Sequence, residues 1–422
     1  MRIYLLLSVL LSLSLVSVAQ RDCRSVEYKQ NMIRNNPELA VNIQEIEAFT
    51  QRHLQPGVIS VMGTEPSGRG SGVIKIPVVV HILYNADRQN ISDAQIQSQI
   101  DVLNRDYRKQ NPDTARIPGY YSPLAADCGF QFALANIDTN GNATTGIIHK
   151  HTNMSSFQVD DAIKFTARGG DDAWDRDRYL NIWVGNLTGG ILGYSSIPGA
   201  SKATDGVTIL YTAFGTTGTA TAPFNLGRTA THEIGHWLNL VHIWGDAECG
   251  NDGIDDTPQQ QAATRGNPSG MIFSCGNTPY GNLYMDYMDF TDDIGMHLFT
   301  NGQRSRMRTL FADGGFREPL LTSNALSGTS TVIVPVTPPS GTGSEQTLRL
   351  YPNPAVNTVS VIISDASSVG SLLEIYDQVG QRLMTTRITG TSFQLNIASL
   401  PGGLYFIGVN GGGLKSCRLV KM

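Results

Sequence analysis

His232-Glu233-Ile234-Gly235-His236-Trp237-Leu238-Asn239-Leu240-Val241-His242 is the stretch that decides how this 422-residue sequence is read. His232 and His236 are four residues apart, so on a helix their imidazoles rise from one face, one turn apart, and can share a metal ion. Glu233 lies beside them, placed to stay outside the inner shell and take a proton from a water that the metal acidifies. Leu238, Leu240 and Val241, with Ala230 and Ile234, supply apolar surface that packs such a helix into a core. A third protein ligand leaves one tetrahedral position open, and His242 supplies it if the chain turns sharply after the helix. Asn239 makes that turn plausible, because after Gly it is the residue best able to adopt a left-handed conformation. His-Glu-x-x-His alone is a weak signal. The third histidine at this offset makes it a strong one for metal-assisted hydrolysis.

Just downstream, Cys249 and Cys275 enclose a Gly- and Asp-rich loop with little means of packing itself, and a disulfide between them would limit its unfolded-state freedom. Asp252, Asp255, Asp256 and Thr257 offer hard oxygen ligands in that loop, which predicts a calcium site where an acidic solvated turn is the plainer alternative. The chain has five cysteines, so at least one is free, metal-bound or intermolecular. Cys128, before Phe130, Phe132 and Leu134, has the surroundings of a buried inert thiol, and Cys417 has no assignment.

A formal charge of −5 with only 16% charged residues leaves no basic surface to compete for phosphate backbones, which argues against nucleic acid as a partner. Arg2 precedes an apolar run over 3–18 that closes in Ser17-Val18-Ala19, the pattern of a signal peptide at 1–19 cleaved after Ala19. That run is short for a bilayer span, and no later segment is long and apolar enough to be a transmembrane helix. The expectation is export into a compartment where disulfides persist.

Residues 20–55 are polar with helix-forming stretches such as 41–51, and the Pro/Gly/Ser run 63–72 reads as an exposed linker. A core begins at the β-branched strand 76–84. Ser92 with Gln95 has the form of a capping box, and Ile96, Ile100, Leu103 and Tyr107 follow at helical spacing. Short strands are expected at 130–135, 179–184 and 207–211, giving a twisted sheet backed by helices, an α/β or α+β domain. Segment 327–346, with Pro335, Pro338 and Pro339, has linker composition. After it, strands at 359–363, 372–376, 393–397 and 404–409 alternate with turns in the pattern of a small all-β sandwich.

Over most of 76–307 the sequence resembles the pappalysin family of metzincin zinc metalloproteases, particularly its secreted bacterial members. The resemblance is carried by Ile76-Pro77-Val78-Val79-Val80-His81, Asn90-Ile91-Ser92-Asp93-Ala94-Gln95-Ile96-Gln97, Tyr179-Leu180-Asn181-Ile182-Trp183, 227–236, His242-Ile243-Trp244-Gly245-Asp246 and Asp256-Thr257-Pro258. It implies a metzincin-like catalytic domain at 71–325 with a mixed sheet and an active-site helix, a catalytic zinc held by His232, His236 and His242, and calcium near Asp252. It also implies a methionine turn beneath the metal, for which Met288 fits the family register and Met285 is the competing candidate. Family members have Tyr two residues after that methionine, where its hydroxyl is thought to stabilise the tetrahedral intermediate; this chain has Phe290, with Tyr287 as a possible substitute on the oxyanion side. A second family disulfide is missing, and its places correspond to Asn267 and Gly295.

The resemblance further implies a propeptide at 20–70 whose Cys23 blocks the zinc until proteolysis removes it, Arg24 following where the family often has Gly; Arg69, in the exposed linker, is a reasonable cleavage point. Asp292 and Asp293 suggest a preference for a basic residue after the scissile bond, although the family's pocket acid aligns with Ile294. Beyond a linker at 326–346, segment 347–422 looks like the sorting domain of the type IX secretion system of Gram-negative bacteria, on Leu350-Tyr351-Pro352-Asn353-Pro354, Ile375-Tyr376-Asp377, Gly380, Leu400-Pro401-Gly402-Gly403-Leu404-Tyr405 and Lys421. The expectation is thus a secreted zinc endopeptidase acting on extracellular proteins or peptides, with Glu233 as general base and then proton donor. Its competitor is a catalytically weak or inactive surface-binding protein that retains the fold, motivated by Phe290 and the appended sandwich.

Overall fold

The computed structural model describes residues 21, 23–54, 72–328 and 348–421, apart from 352, 354, 364–367, 378–380 and 410–416. The expected signal peptide, most of both linkers, Arg69, Pro352, Pro354 and Gly380 lie outside the described residues. The chain divides into two compact units, Met1–Val334 and Pro335–Met422. No helix among the described residues is long and apolar enough to cross a membrane.

The first unit opens with two helices, α1 (Ser25–Asn35) and α2 (Glu38–Leu54), the second enclosing the stretch expected to be helical. The strand β1 (Ile74–Tyr84) follows, buried on both faces from Ile76 to Leu83, as a continuous β-branched run in a parallel sheet should be. One of its edges is shared in parallel by β2 (Phe130–Leu134) and β3 (Ile147–His151), and the other pairs in parallel with β4 (Leu180–Gly185). Beyond β4 lies β6 (Val207–Leu210), and β5 (Gly193–Ser195) closes that edge in the antiparallel sense. The sheet is therefore mixed, with a short antiparallel strand at one rim.

Helix α3 (Asp93–Asp106) starts where the sequence places its cap, with Ser92 Oγ accepting from the Gln95 amide at 3.3 Å. Its apolar stripe and that of α4 (Arg228–Trp237) enter the same core as β1, β4 and β6. Both ends of α4 are fixed by buried polar contacts. Near its start, Arg228 pairs with Asp106, which also accepts from the Thr231 hydroxyl at 2.7 Å. At its end, the Trp237 indole donates to Asp205 at 2.7 Å, and Arg317 pairs with the same carboxylate at 2.8 Å. A short parallel pair, β7 (Arg265–Gly266) with β8 (Phe290–Thr291), and helix α5 (Asn301–Thr309) complete the unit.

The second unit carries an antiparallel three-stranded sheet, β9 (Leu348–Tyr351), β10 (Thr358–Ile363) and β13 (Ser392–Asn396), with β10 central. Its four-stranded partner runs in the order β12 (Arg382–Arg387), β11 (Leu372–Tyr376), β14 (Gly403–Val409), β15 (Cys417–Lys421). Val359, Val361 and Leu395 from one sheet meet Leu373, Ile375, Ile407 and Leu419 from the other in one core, which makes the unit a sandwich. Strand ends differ from the sequence expectations by one or two residues, the usual fraying of element boundaries.

Candidate metal centre

Helix α4 presents His232 and His236 one turn apart, and the chain then reverses at Asn239, whose φ of 73° is left-handed. The reversal is closed by the Leu240 amide on the Gly235 carbonyl at 2.9 Å, and it delivers His242 to the same point. Each imidazole is oriented through Nδ1. His232 faces the Tyr287 carbonyl at 2.7 Å, His236 the Leu240 carbonyl at 2.9 Å and His242 the Asp246 carboxylate at 2.5 Å. Those oxygens can only accept, so each Nδ1 carries the proton and each Nε2 turns a lone pair inward. His236 Nε2 and His242 Nε2 lie 3.1 Å apart, and the buried His232 Nε2 has no hydrogen-bond partner. Converging lone pairs in a buried site repel unless a cation sits among them. The donor set therefore fits a metal ion.

Burial, followed by the neighbouring imidazoles, holds His232 well below its ordinary pKa, and burial followed by His242 pushes His236 down to about 3, so both are neutral as ligands must be. Among the described residues, the group Cys23, His232, His236 and His242 is the one cluster whose ligand atoms converge, all within 4.8 Å of one another. Cys23 Sγ lies 3.6 Å from both His236 Nε2 and Glu233 Oε2. Its backbone forms a parallel bridge with Gly193 of the rim strand β5, and Ser25 Oγ donates to Glu233 Oε2 at 2.8 Å while accepting from the Ser195 amide at 2.9 Å. Glu233 can approach β5 because residue 193 is glycine; a Cβ there would stand 2.9 Å from Glu233 Cγ.

Two residues before the cysteine, Arg21 is 1% exposed in a pocket that sequence reasoning did not connect with it. Its guanidinium pairs with Asp293 Oδ1 at 2.5 Å and donates to Thr291 O at 3.0 Å and Thr229 Oγ1 at 3.2 Å. Asp293 Oδ2 is held in turn by the amides of Leu226 and Arg228 at 2.7 and 3.3 Å. The acid of this pocket is thus Asp293, whereas Ile294, where the resemblance placed the acid, is 43% exposed. The available signal was the Asp292-Asp293 pair; its partner lies 272 residues away in sequence.

Met288 is fully buried against the underside of α4, where a Cβ on Gly235 would meet its sulfur at 2.4 Å; Met285 packs elsewhere, with Tyr121, Leu283 and Leu298. Phe290 stands edge-on to His242 with ring centroids 4.8 Å apart. Tyr287 does not take over the oxyanion role considered for it: its hydroxyl is buried and bonded to Arg228 Nη1 at 3.1 Å. Cys249 and Cys275 form the expected disulfide, and Cys128 is buried. The acidic loop differs from expectation. Thr257 donates to Asp252, Asp256 accepts from Thr300 and the Gly302 amide at the start of α5, and Asp255 is exposed, so the three carboxylates do not converge on one point among the described residues. Asn267 and Gly295 are neighbours, with Asn267 Oδ1 3.6 Å from where a Gly295 Cβ would be.

Residues 166–312 match the family model described as pregnancy-associated plasma protein-A, and 349–421 match the secretion system C-terminal sorting domain. An extracellular metalloprotease of Pyricularia oryzae is 33% identical over 270 residues, covering 60% of this chain and 83% of that one. Another, from Verticillium alfalfae, is 30% identical, covering 56% and 76%. Among solved structures, a mutant of Tannerella forsythia promirolysin is 42% identical with a TM-score of 0.65, covering 72% of this chain and 98% of that chain. Mature mirolysin with a cleaved peptide is 48% identical with a TM-score of 0.59, covering 60% and 97%. With its histidine cluster on a mixed metzincin sheet, the chain belongs to the pappalysin family and is a secreted metalloprotease with a C-terminal type IX sorting domain.

Proposed function

We propose that His232, His236 and His242 hold a zinc ion and that Glu233 is the general base for endoproteolysis of extracellular proteins or peptides. The observation that carries this is the convergence of three outward-fixed imidazoles on one buried point beside Glu233. Zinc supplies Lewis acidity toward the scissile carbonyl and the attacking water. Glu233 takes the proton of that water and returns it to the leaving amine, and its burial under the rim strand keeps it within reach of both. A calcium ion at Asp252, Asp255, Asp256 and Thr257 forms no part of this proposal, because the three carboxylates do not converge among the described residues.

Segment 20–70 acts as a propeptide. Cys23 takes the place of substrate at the metal site while Ser25 occupies Glu233, and the backbone at Cys23 bridges the rim strand β5 in the parallel sense. Release follows cleavage in 55–71, with Arg69 as the expected point. Arg21 in the Asp293 pocket supports a preference for Arg or Lys directly after the scissile bond, since a buried carboxylate fixed by two amides rewards a cation that can reach it. The sorting domain supports export through the type IX machinery across both membranes of a Gram-negative cell.

A quenched-fluorescence peptide library tests the chemistry. The activated enzyme is expected to cut before Arg and Lys, to lose activity to a zinc chelator, and to be inert as Glu233→Ala. Equal turnover by that variant would remove Glu233 from the mechanism.

A further inference from the structure

Tyr28, on α1 of the propeptide, is 2% exposed in a box built by the body of the enzyme. Its ring lies 4.9 Å from that of Tyr194 on β5 and 4.7 Å from the Lys164 ammonium. Its hydroxyl donates to the Asp161 carboxylate, 2.7 and 2.8 Å from the two oxygens, and accepts from Lys164 Nζ at 3.0 Å. Lys164 is itself fully buried, held by Asp161 at 3.1 Å and the Thr204 carbonyl at 2.9 Å, with the Trp183 and Tyr194 rings 5.3 and 5.1 Å away. A buried ammonium and a carboxylate arranged around one phenol form a recognition site for that group. The phenol comes from the part of the chain that activation removes.

The propeptide passes Arg21, then Cys23 at the metal, then Tyr28, so the box lies along the cleft on the far side of the metal from the Asp293 pocket. Because the Asp293 pocket is assigned above to the residue after the scissile bond, the opposite direction corresponds to residues before it. From Cys23 the chain passes Arg24, whose φ of −97° and ψ of 14° are not extended, and then makes a turn of helix to Tyr28; an extended substrate covers that distance in about three residues.

We propose that in the activated enzyme this box is a substrate subsite that takes a tyrosine side chain two to four residues before the scissile bond. The inference rests on the zymogen and protease assignments above. Phenylalanine would fill the aromatic space but leave Asp161 and Lys164 without the bridging hydroxyl, a penalty for buried charged groups, and an aliphatic residue would lose the ring contacts as well. Tyrosine is therefore favoured over phenylalanine, and phenylalanine over leucine or alanine.

The test uses the full zinc-loaded chain, activated by limited proteolysis, and peptides that share Arg after the scissile bond and carry Tyr, Phe, Leu or Ala at the second, third or fourth position before it. At one of these positions the Tyr peptide is expected to exceed the Ala peptide in kcat/KM by on the order of tenfold, with Phe between them. In Lys164→Met and in Asp161→Asn the difference between Tyr and Phe is expected to collapse; the peptide series in the unaltered enzyme stands without them if either variant fails to fold. Equal kcat/KM for all four residues at all three positions, with cleavage still abolished by Glu233→Ala, would overturn the subsite and leave the protease assignment intact. Absence of cleavage of every peptide would sink the protease assignment, and the subsite with it.

Discussion

Phe290 stands where the resemblance to the family implied a tyrosine. Its ring packs against His242 and lies 4.9 Å from Trp244, so the position is at the site but offers no hydroxyl, and the Tyr287 hydroxyl is committed to Arg228. A missing oxyanion donor costs about two to three orders of magnitude where it dominates. Phe290→Tyr is therefore expected to raise kcat by on the order of tenfold with little change in KM, the signature of an interaction made only in the transition state. An unchanged kcat would place oxyanion stabilisation on other groups. At this scale the sequence was most legible where chemistry is local. The three histidines, Glu233 and the left-handed Asn239 fall within one helix and one turn, so spacing alone brings them together. Arg21 with Asp293, or Gly193 against Glu233, was not legible, because those contacts depend on strands and segments far apart in the chain.

At the scale of elements, the helices and most strands followed from period and capping, whereas the rim strand β5 did not. It is three residues long, Gly193–Ser195, contains a glycine and has no alternation to read, yet it receives Cys23 and Ser25. The loop between Cys249 and Cys275 raises a related point. Its Gln260 side chain and Thr264 amide both donate to the buried Asp289, at 2.9 and 2.7 Å, and Arg265 pairs with Phe290 in the β7–β8 ladder. The loop thus holds the segment that follows Met288. The disulfide closes a separation of 26 residues, for which chain-entropy estimates give about 3 to 4 kcal/mol. Replacing both cysteines by serine is expected to lower stability by about that amount and to lower kcat through loosening around Phe290. Denaturant unfolding and peptide hydrolysis measure the two effects, and a destabilised variant with unaltered kcat would separate the loop from the site.

At the scale of the whole first unit, the latency proposed above is spread over several contacts. Arg21, Cys23, Ser25 and Tyr28 occupy the cleft, while α2 docks farther along, where Glu47 pairs with Arg306 at 2.5 Å and Arg306 Nε donates to the Asn239 carbonyl at 2.7 Å. Helix α2 therefore grips the turn that delivers His242, while Cys23 lies against the histidine cluster itself. Cys23→Ala alone is expected to weaken latency without abolishing it, because the other contacts remain. The Glu47 contact adds a dependence on pH. Burial pushes its carboxyl up, but the hydrogen bond and then the charge of Arg306 outweigh burial and hold it below its ordinary value of 4.5. A carboxylate depressed in the docked state contributes to docking above its free value, and that contribution is lost as pH falls through the docked value. A propeptide nicked in 55–71 is accordingly expected to dissociate more readily as pH is lowered below about 4.5, beyond any effect of protonating the centre itself. Glu47→Gln separates the two contributions: it should weaken retention at pH 7 and flatten the part of the pH dependence that the unaltered chain shows in excess. Retention measured by size exclusion after nicking gives the answer. Identical pH profiles for the two proteins would remove Glu47 from the latch and leave the cleft contacts to account for latency alone.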